Sequence, residues 1–179
     1  WNEALIVYVL AASSPTHSIT KSVYDTGWAR NGNMKNGKKF YDITLPLGAD
    51  LGGPMFFAHY SFMGLDPRNL KDQYADYWEQ NVAHAKINQA YCKANPKGYF
   101  GYSERCWGLT ASDYHDGYTA SSPTNDKGTI APTAALASMP YTPEASLMAL
   151  EYFYYVLGDN LFKKYGFIDS FTLGKKWFA

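Results

Sequence analysis

The feature that most constrains this chain is a long helical segment that stops at Asn95-Pro96 and is followed by residues 97–130 without helical periodicity. Tyr74, Tyr77, Trp78, Val82, Ile87, Ala90 and Tyr91 supply the expected buried side of a helix over residues 70–94. Proline cannot continue that helix and restricts the residue before it, so the chain turns there. The connection that follows far exceeds the usual ~4–6 residues. Its Gly, Tyr, Asp, Ser and Thr are the palette of an ordered polar ligand site rather than of a flexible linker.

The other segments read as helices in pairs. Residues 2–12 set Leu5, Val9 and Ala12 at helical spacing with Val7, Tyr8 and Leu10 on the remaining sides, which predicts a central buried helix ended by Ser13-Ser14-Pro15. Ser18 is the expected N-cap of a second helix that runs through Val23, Tyr24 and Trp28 to Asn31-Gly32. Helical periodicity is lost over 33–53, where the turn signal Asn36-Gly37 and the strand-like Phe40-Tyr41-Asp42-Ile43-Thr44-Leu45 predict a small β-hairpin. Pro54 suits the first turn of a third helix over 55–62, closed by Gly64. Helices resume over 132–138, from Thr142-Pro143-Glu144 to Leu157, and over 159–165. Helix pairs, long loops and no βαβ pattern predict an all-α fold. Three such pairs would make about half of an (α/α)6 toroid, and periodicity alone does not separate that from a helical bundle.

At 179 residues, 46% apolar, the chain fits one domain with a core. Sixteen basic and sixteen acidic residues cancel, leaving no electrostatic footprint for nucleic acid. The apolar run from Ala4 to Ala12 falls short of the ~20 residues that span a bilayer, so no membrane insertion is expected. Aromatic residues make up 17% of the chain against 18% charged. Aromatic rings pack on the C–H faces of sugars, and equally they build large cores; composition leaves both readings open. The chain opens on Trp1-Asn2-Glu3 without an initiator Met and stops at Lys176-Trp177-Phe178-Ala179, so both ends read as truncated. Cys92 and Cys106 would close a small disulfide loop in an exported protein, or be two buried thiols.

Glycosidic bonds are normally cleaved by two carboxyl groups, so each Asp and Glu is a candidate until its context removes it. Asp72, Asp76 and Glu79 read as a solvated face of the long helix and Glu144 as a helix-start acid. Glu3 stands at the first turn of an otherwise apolar helix. Desolvation there would raise its pKa and suit a general acid, while the alternative is a simple interaction with the helix N-terminus. A second cluster, Ser103-Glu104-Arg105-Cys106-Trp107-Gly108-Leu109-Thr110-Ala111-Ser112-Asp113, carries two carboxylates, a guanidinium and an indole. It reads as a sugar site with Arg105 donating to hydroxyls and Trp107 stacking, or as a buried structural Arg–Glu pair. The four histidines and two cysteines show no zinc-ligand spacing, and no nucleotide or serine-hydrolase motif is present, so neither metal nor cofactor is expected.

Several motifs resemble the bacterial glucoamylase-like domain family over nearly the whole chain. They are Trp1-Asn2-Glu3, Ala12-Ser13-Ser14-Pro15-Thr16-His17, Gly53-Pro54-Met55-Phe56-Phe57-Ala58-His59-Tyr60-Ser61, Asp72-Gln73-Tyr74-Ala75-Asp76-Tyr77-Trp78, Cys106-Trp107-Gly108-Leu109-Thr110-Ala111-Ser112-Asp113 and Ala131-Pro132-Thr133-Ala134-Ala135. The resemblance implies an (α/α)6 toroid, with residues 1–179 as one fragment of the catalytic domain. It also implies an inverting hydrolase of β-1,2-glucan acting in the periplasm or as a secreted enzyme on an oligo- or polysaccharide. By the same resemblance Glu3 is the general-acid candidate, Asp113 and Glu104 are further catalytic candidates in the cleft, and Arg105, Trp107, Trp1, His59 and Tyr60 are sugar contacts. The alternatives are a non-catalytic glycan-binding module and the transglycosylating domain of a cyclic β-1,2-glucan synthase. Relatives carry further acidic residues upstream, so the catalytic base is expected there and the fragment alone is expected to be inactive.

Overall fold

The structure, a computed structural model, describes residues 3–179; Trp1, a predicted sugar contact, lies outside the described residues. It is helix-rich with small antiparallel hairpins. Helices α1 (Leu5–Ala12) and α2 (Lys21–Val23), the latter prolonged by a π-turn over Tyr24–Trp28, precede a hairpin of β1 (Lys39–Phe40) and β2 (Ile43–Thr44). Two 3-10 turns, Met55–Ala58 and Ser61–Met63, lead to α3 (Tyr77–Ala94). The loop region then holds a hairpin of β3 (Ala111–Tyr114) and β4 (Gly117–Ala120). Next come α4 (Pro132–Leu136), α5 (Pro143–Glu151) with a π-turn over Tyr152–Val156, and α6 (Gly158–Leu161). Hairpins β5 (Phe162–Lys163) with β6 (Gly166–Phe167), and β7 (Phe171–Thr172) with β8 (Trp177–Phe178), end the chain.

The central element is α3. Asp76 caps it by accepting the Trp78 and Glu79 N–H groups, and Asn95 closes it in the left-handed conformation. It reaches three core clusters: Tyr77 packs with Leu5, Trp28 and Leu47; Ala85 with Met55, Ala58 and Ala134; Tyr91 and Cys92 with Trp107, Phe153 and Phe171. Between these apolar contacts runs a buried polar stripe of Gln80, Asn81, His84 and Asn88. Gln80 pairs with both backbone groups of Leu47, accepting its N–H at 2.7 Å and donating to its carbonyl at 3.4 Å. Asn88 does the same for Leu109, at 3.0 and 3.2 Å. Side-chain amides thus replace a partner strand for two loops, each bond contributing a net ~0.5–1.5 kcal/mol.

Several local expectations change. The first helix is not buried on all sides: Val7 and Leu10 are each 62% exposed and only Leu5 of α1 is buried. The second begins at Lys21, after extended Thr20, rather than at Ser18. The hairpin turns at Tyr41-Asp42, both at positive φ, while Asn36 and Gly37 donate across the pair to Pro46 and Leu45. The segment after Pro54 winds as 3-10 turns rather than as an α-helix. Residues 70–76 precede α3 instead of forming its first turns, because Asp72 accepts the Tyr74 and Ala75 N–H groups and the Tyr24 and Tyr77 hydroxyls. Asp72 is therefore a structural acceptor and not part of a solvated face. Among the described residues four short hairpins stand where one was expected beside helices, and of the two readings left open for Cys92 and Cys106 the structure has buried free thiols.

Candidate active site

A groove runs along the 3-10 turns after Pro54. Its first recess, roughly 340 Å³, is walled by Phe56, His59, Tyr60, Tyr141 and Asp169. A second recess of roughly 620 Å³ adjoins it through the shared Phe62, Met63, Pro140 and Tyr141, and adds Trp78, Asp66 and Arg68. Rings and carboxylates on one open surface are what a neutral sugar requires, since its C–H faces pack on rings while its hydroxyls need acceptors and donors. Tyr60 is 54% exposed with its ring centroid 5.1 Å from that of Phe56, and Trp78 meets Tyr141 edge to face at 5.4 Å.

His59 is held in one tautomer. Its Nε2 lies 3.1 Å from Ser138 Oγ, and that hydroxyl donates its only proton to the Ala134 carbonyl at 2.8 Å. Nε2 must then carry the proton and donate, which leaves Nδ1 as an acceptor on a residue that lines the groove. Burial, with His84 close by, pushes the imidazole down to about 4, so His59 is neutral at physiological pH. His84 beneath it donates from Nε2 to the Gly53 carbonyl at 3.0 Å and is likewise pushed down to about 4 by burial. A Cβ on Gly52, at φ +96°, would stand 2.3 Å from the His84 ring, so only glycine fits there.

The walls are positioned by the 106–113 segment. Leu109, gripped by Asn88, accepts the Met55 N–H at 3.0 Å, and Thr110 Oγ1 accepts the Phe56 N–H at 3.0 Å. Gly108, at φ +130°, lets this strand approach α4: a Cβ there would be 2.8 Å from the Ala131 carbonyl. Farther on, the Asp113 N–H donates to Asp169 Oδ2 at 2.8 Å, and Ser170 Oγ donates to the Asp113 carbonyl at 2.6 Å.

The predicted site residues divide. His59 and Tyr60 line the groove. Glu3 is exposed rather than desolvated, and its backbone carbonyl accepts from Ser61 Oγ, next to Tyr60. Asp113 is exposed and touches the groove only through the backbone bond to Asp169. Glu104 and Arg105 are not brought to the groove. Glu104 pairs with Lys93 at 2.8 Å, both exposed, and this bond holds its carboxyl below the usual range. Arg105 lies 5.9 Å over the Tyr152 ring, so no Glu104–Arg105 pair forms. Trp107 does not stack on a ligand either: it is 0% exposed, packed in the core, and donates from Nε1 to the Ala145 carbonyl at 3.3 Å. Asp169, which no motif marked, is the additional carboxylate that the fold delivers to the groove. Tyr141 and the Asp66–Arg68 pair are further residues that no motif marked, and Trp78, which stands in one of the motifs but was read only as a buried helix residue, also lines the groove. Arg68 holds both Asp66 oxygens, at 2.9 and 2.6 Å, and pulls that carboxyl down to about 2.

Residues 1–179 match the Glycoamylase family model, described as "Putative glucoamylase". Over 99% of its length the chain is 45% identical to an exo β-1,2-glucooligosaccharide sophorohydrolase (non-reducing end) of Parabacteroides distasonis, and it spans 27% of that protein. A crystal structure from Bacteroides uniformis whose protein carries the family's description superimposes over the whole chain with a TM-score of 0.97 at 61% identity. An endo-β-1,2-glucanase from Chitinophaga pinensis, in complex with sophorotriose and glucose, superimposes with a TM-score of 0.96 at 50% identity. The chain spans 44% of each of these two structures.

Proposed function

From a chain that belongs to the Glycoamylase family, we propose a glycoside hydrolase that cleaves β-1,2-glucan with inversion, of which these residues form one part of an (α/α)6 catalytic domain. The observation that carries this reading is the aromatic groove with Asp169 and a neutral His59, set beside the backbone tether of Glu3. The relatives named for action on β-1,2-linked glucose support the linkage. Because the chain spans less than half of those relatives, the activity is assigned to the complete polypeptide and the domain to residues 1–179 as a fragment of it.

Glu3 is the general acid, passing its proton to the glycosidic oxygen as the bond to the anomeric carbon breaks. A general acid near neutral pH needs a desolvated carboxyl. Glu3 is exposed in the described residues, so bound glucan or the rest of the polypeptide supplies that cover. The base, which takes a proton from the attacking water on the opposite face of the sugar, lies outside these residues. Asp169 accepts from sugar hydroxyls, with its second oxygen already engaged by the Asp113 N–H. His59 accepts a further hydroxyl at Nδ1, and Tyr60 and Trp78 pack against pyranose faces. A polymeric glucan does not cross a membrane unaided, which supports a periplasmic or secreted enzyme. No described helix is long and apolar enough to cross one.

The test is a kinetic split in the full-length enzyme. Glu3→Gln is expected to lower kcat on β-1,2-glucan by roughly 10²–10⁴-fold, whereas Asp169→Asn raises KM with a smaller change in kcat. Loss of kcat in Asp169→Asn matching that in Glu3→Gln would make Asp169 the second catalytic carboxyl. Unchanged kcat in Glu3→Gln would remove the assignment of the acid.

A further inference from the structure

Between the turn of the β3–β4 hairpin and the 3-10 turn Leu173–Lys175 lies another recess, of roughly 430 Å³, which shares no lining residue with the groove. Phe100 stands in its wall with 75% of its surface exposed, and Tyr114 meets His115 edge to face at 5.4 Å. A large apolar ring left this open offers a stacking platform.

The charges differ from those of the groove. Lys127 and Lys175 line the recess from two separate segments, and neither ammonium has a carboxylate partner among the described residues. Asp116 is the one acid in the wall, and its Oδ2 lies 3.3 Å from His115 Nε2. His115 Nδ1 is buried without a hydrogen-bond partner, which leaves one polar atom of the wall unsatisfied. The floor depends on glycine: a Cβ on Gly128, at φ +77°, would stand 2.7 Å from the Tyr99 ring. In the groove, by contrast, the single guanidinium, Arg68, is taken up by Asp66, and Asp169 adds negative charge.

We propose that this recess is a second carbohydrate site, which binds a saccharide bearing an anionic group, phosphate or carboxylate, with the sugar face on Phe100 and the anion between Lys127 and Lys175. Ring and ammonium act on different parts of one molecule, so neither glucose nor a bare anion satisfies the site.

The test is calorimetric titration of the full-length protein with glucose 6-phosphate, glucuronate, glucose and inorganic phosphate. At least one acidic sugar is expected to bind about tenfold more tightly than glucose or inorganic phosphate. Binding of only one of the two supports the site and names its anion. The preference should shrink as salt is raised. It should vanish in the Lys127→Gln/Lys175→Gln double variant, whose circular dichroism and glucan hydrolysis stay at wild-type levels, and Phe100→Ala should weaken the same complex. Equal binding of glucose and the acidic sugars, a preference that survives the double variant, or inorganic phosphate binding as tightly as glucose 6-phosphate would each overturn it. The readout is binding, so it stands apart from whether the groove hydrolyses β-1,2-glucan.

Discussion

Ser61 Oγ donates to the backbone carbonyl of Glu3 at 2.5 Å and accepts the Ile6 N–H at 3.2 Å. One hydroxyl, on a residue only 1% exposed, thus fixes the start of α1 to the turn that carries His59 and Tyr60. Ser61→Ala leaves that carbonyl and N–H unpaired, at a cost of roughly 1–3 kcal/mol. We expect the full-length enzyme to melt several degrees lower and its kcat on β-1,2-glucan to fall about tenfold. A kcat that holds while the melting temperature falls would show that Glu3 does not depend on this tether.

Trp107 is a core residue, and its substitution should read as such. Trp107→Ala removes a buried indole and its bond to the Ala145 carbonyl, and should cost roughly 3–5 kcal/mol in denaturant unfolding. The enzyme that remains folded should keep its KM for glucan. A stable variant with raised KM would return Trp107 to the sugar site.

Buried His84 and half-buried His59 set a pH dependence. His59 and His84 are pushed from the ordinary 6.5 to about 4, so both stay neutral in the folded protein while the unfolded chain takes up protons below 6.5. A group that binds protons only when unfolded favours unfolding as pH falls. Stability should therefore be full above pH 6.5 and drop between 6.5 and 4, by an amount on the order of 3 kcal/mol per histidine. Denaturant titrations at several pH values in that window should follow this slope, and His84→Gln should flatten it. A wild-type profile that is flat between pH 6.5 and 5 would contradict it.

Asp113 acts on the groove through its backbone. Asp113→Ala keeps the N–H that holds Asp169 and should leave kcat/KM within about twofold of wild type. Asp113→Pro removes the donor and should impair binding as Asp169→Asn does. A large loss in Asp113→Ala would instead give its carboxylate a direct role.

The end of α3 was legible because Asn95-Pro96 is a local signal, but its start was not. Residues 70–76 keep a helical period, and only the folded chain shows Asp72 drawn to the hydroxyls of Tyr24 and Tyr77, far off in sequence in the first case. The stripe Gln80, Asn81, His84 and Asn88 looks solvent-facing by polarity, yet it is buried: the backbones of Leu47, Gly53 and Leu109 partner Gln80, His84 and Asn88, and the Tyr141 hydroxyl accepts from Asn81. His59 and Tyr60 could be picked out through the family motif that carries them, and both line the groove. Glu104 and Trp107 could not be sorted from Asp113 by proximity in sequence: Glu104 pairs with Lys93 at the surface, Trp107 is buried against Ala145, and the Asp113 N–H is bonded to Asp169 at the groove. Asp169 belongs to no dense motif; its only signal is a polar Asp169-Ser170 pair between apolar Ile168 and Phe171.

The most direct measurement is time-resolved proton NMR of the full-length enzyme with β-1,2-glucan, beside β-1,3-, β-1,4- and α-1,4-glucans and a folded Glu3→Gln variant. If Glu3 is the acid of an inverting β-1,2-glucanase, the α-anomer of short β-1,2-linked products appears first, from that glucan alone, and not with the variant. First appearance of the β-anomer, hydrolysis of another linkage in preference, or full activity in Glu3→Gln would contradict it.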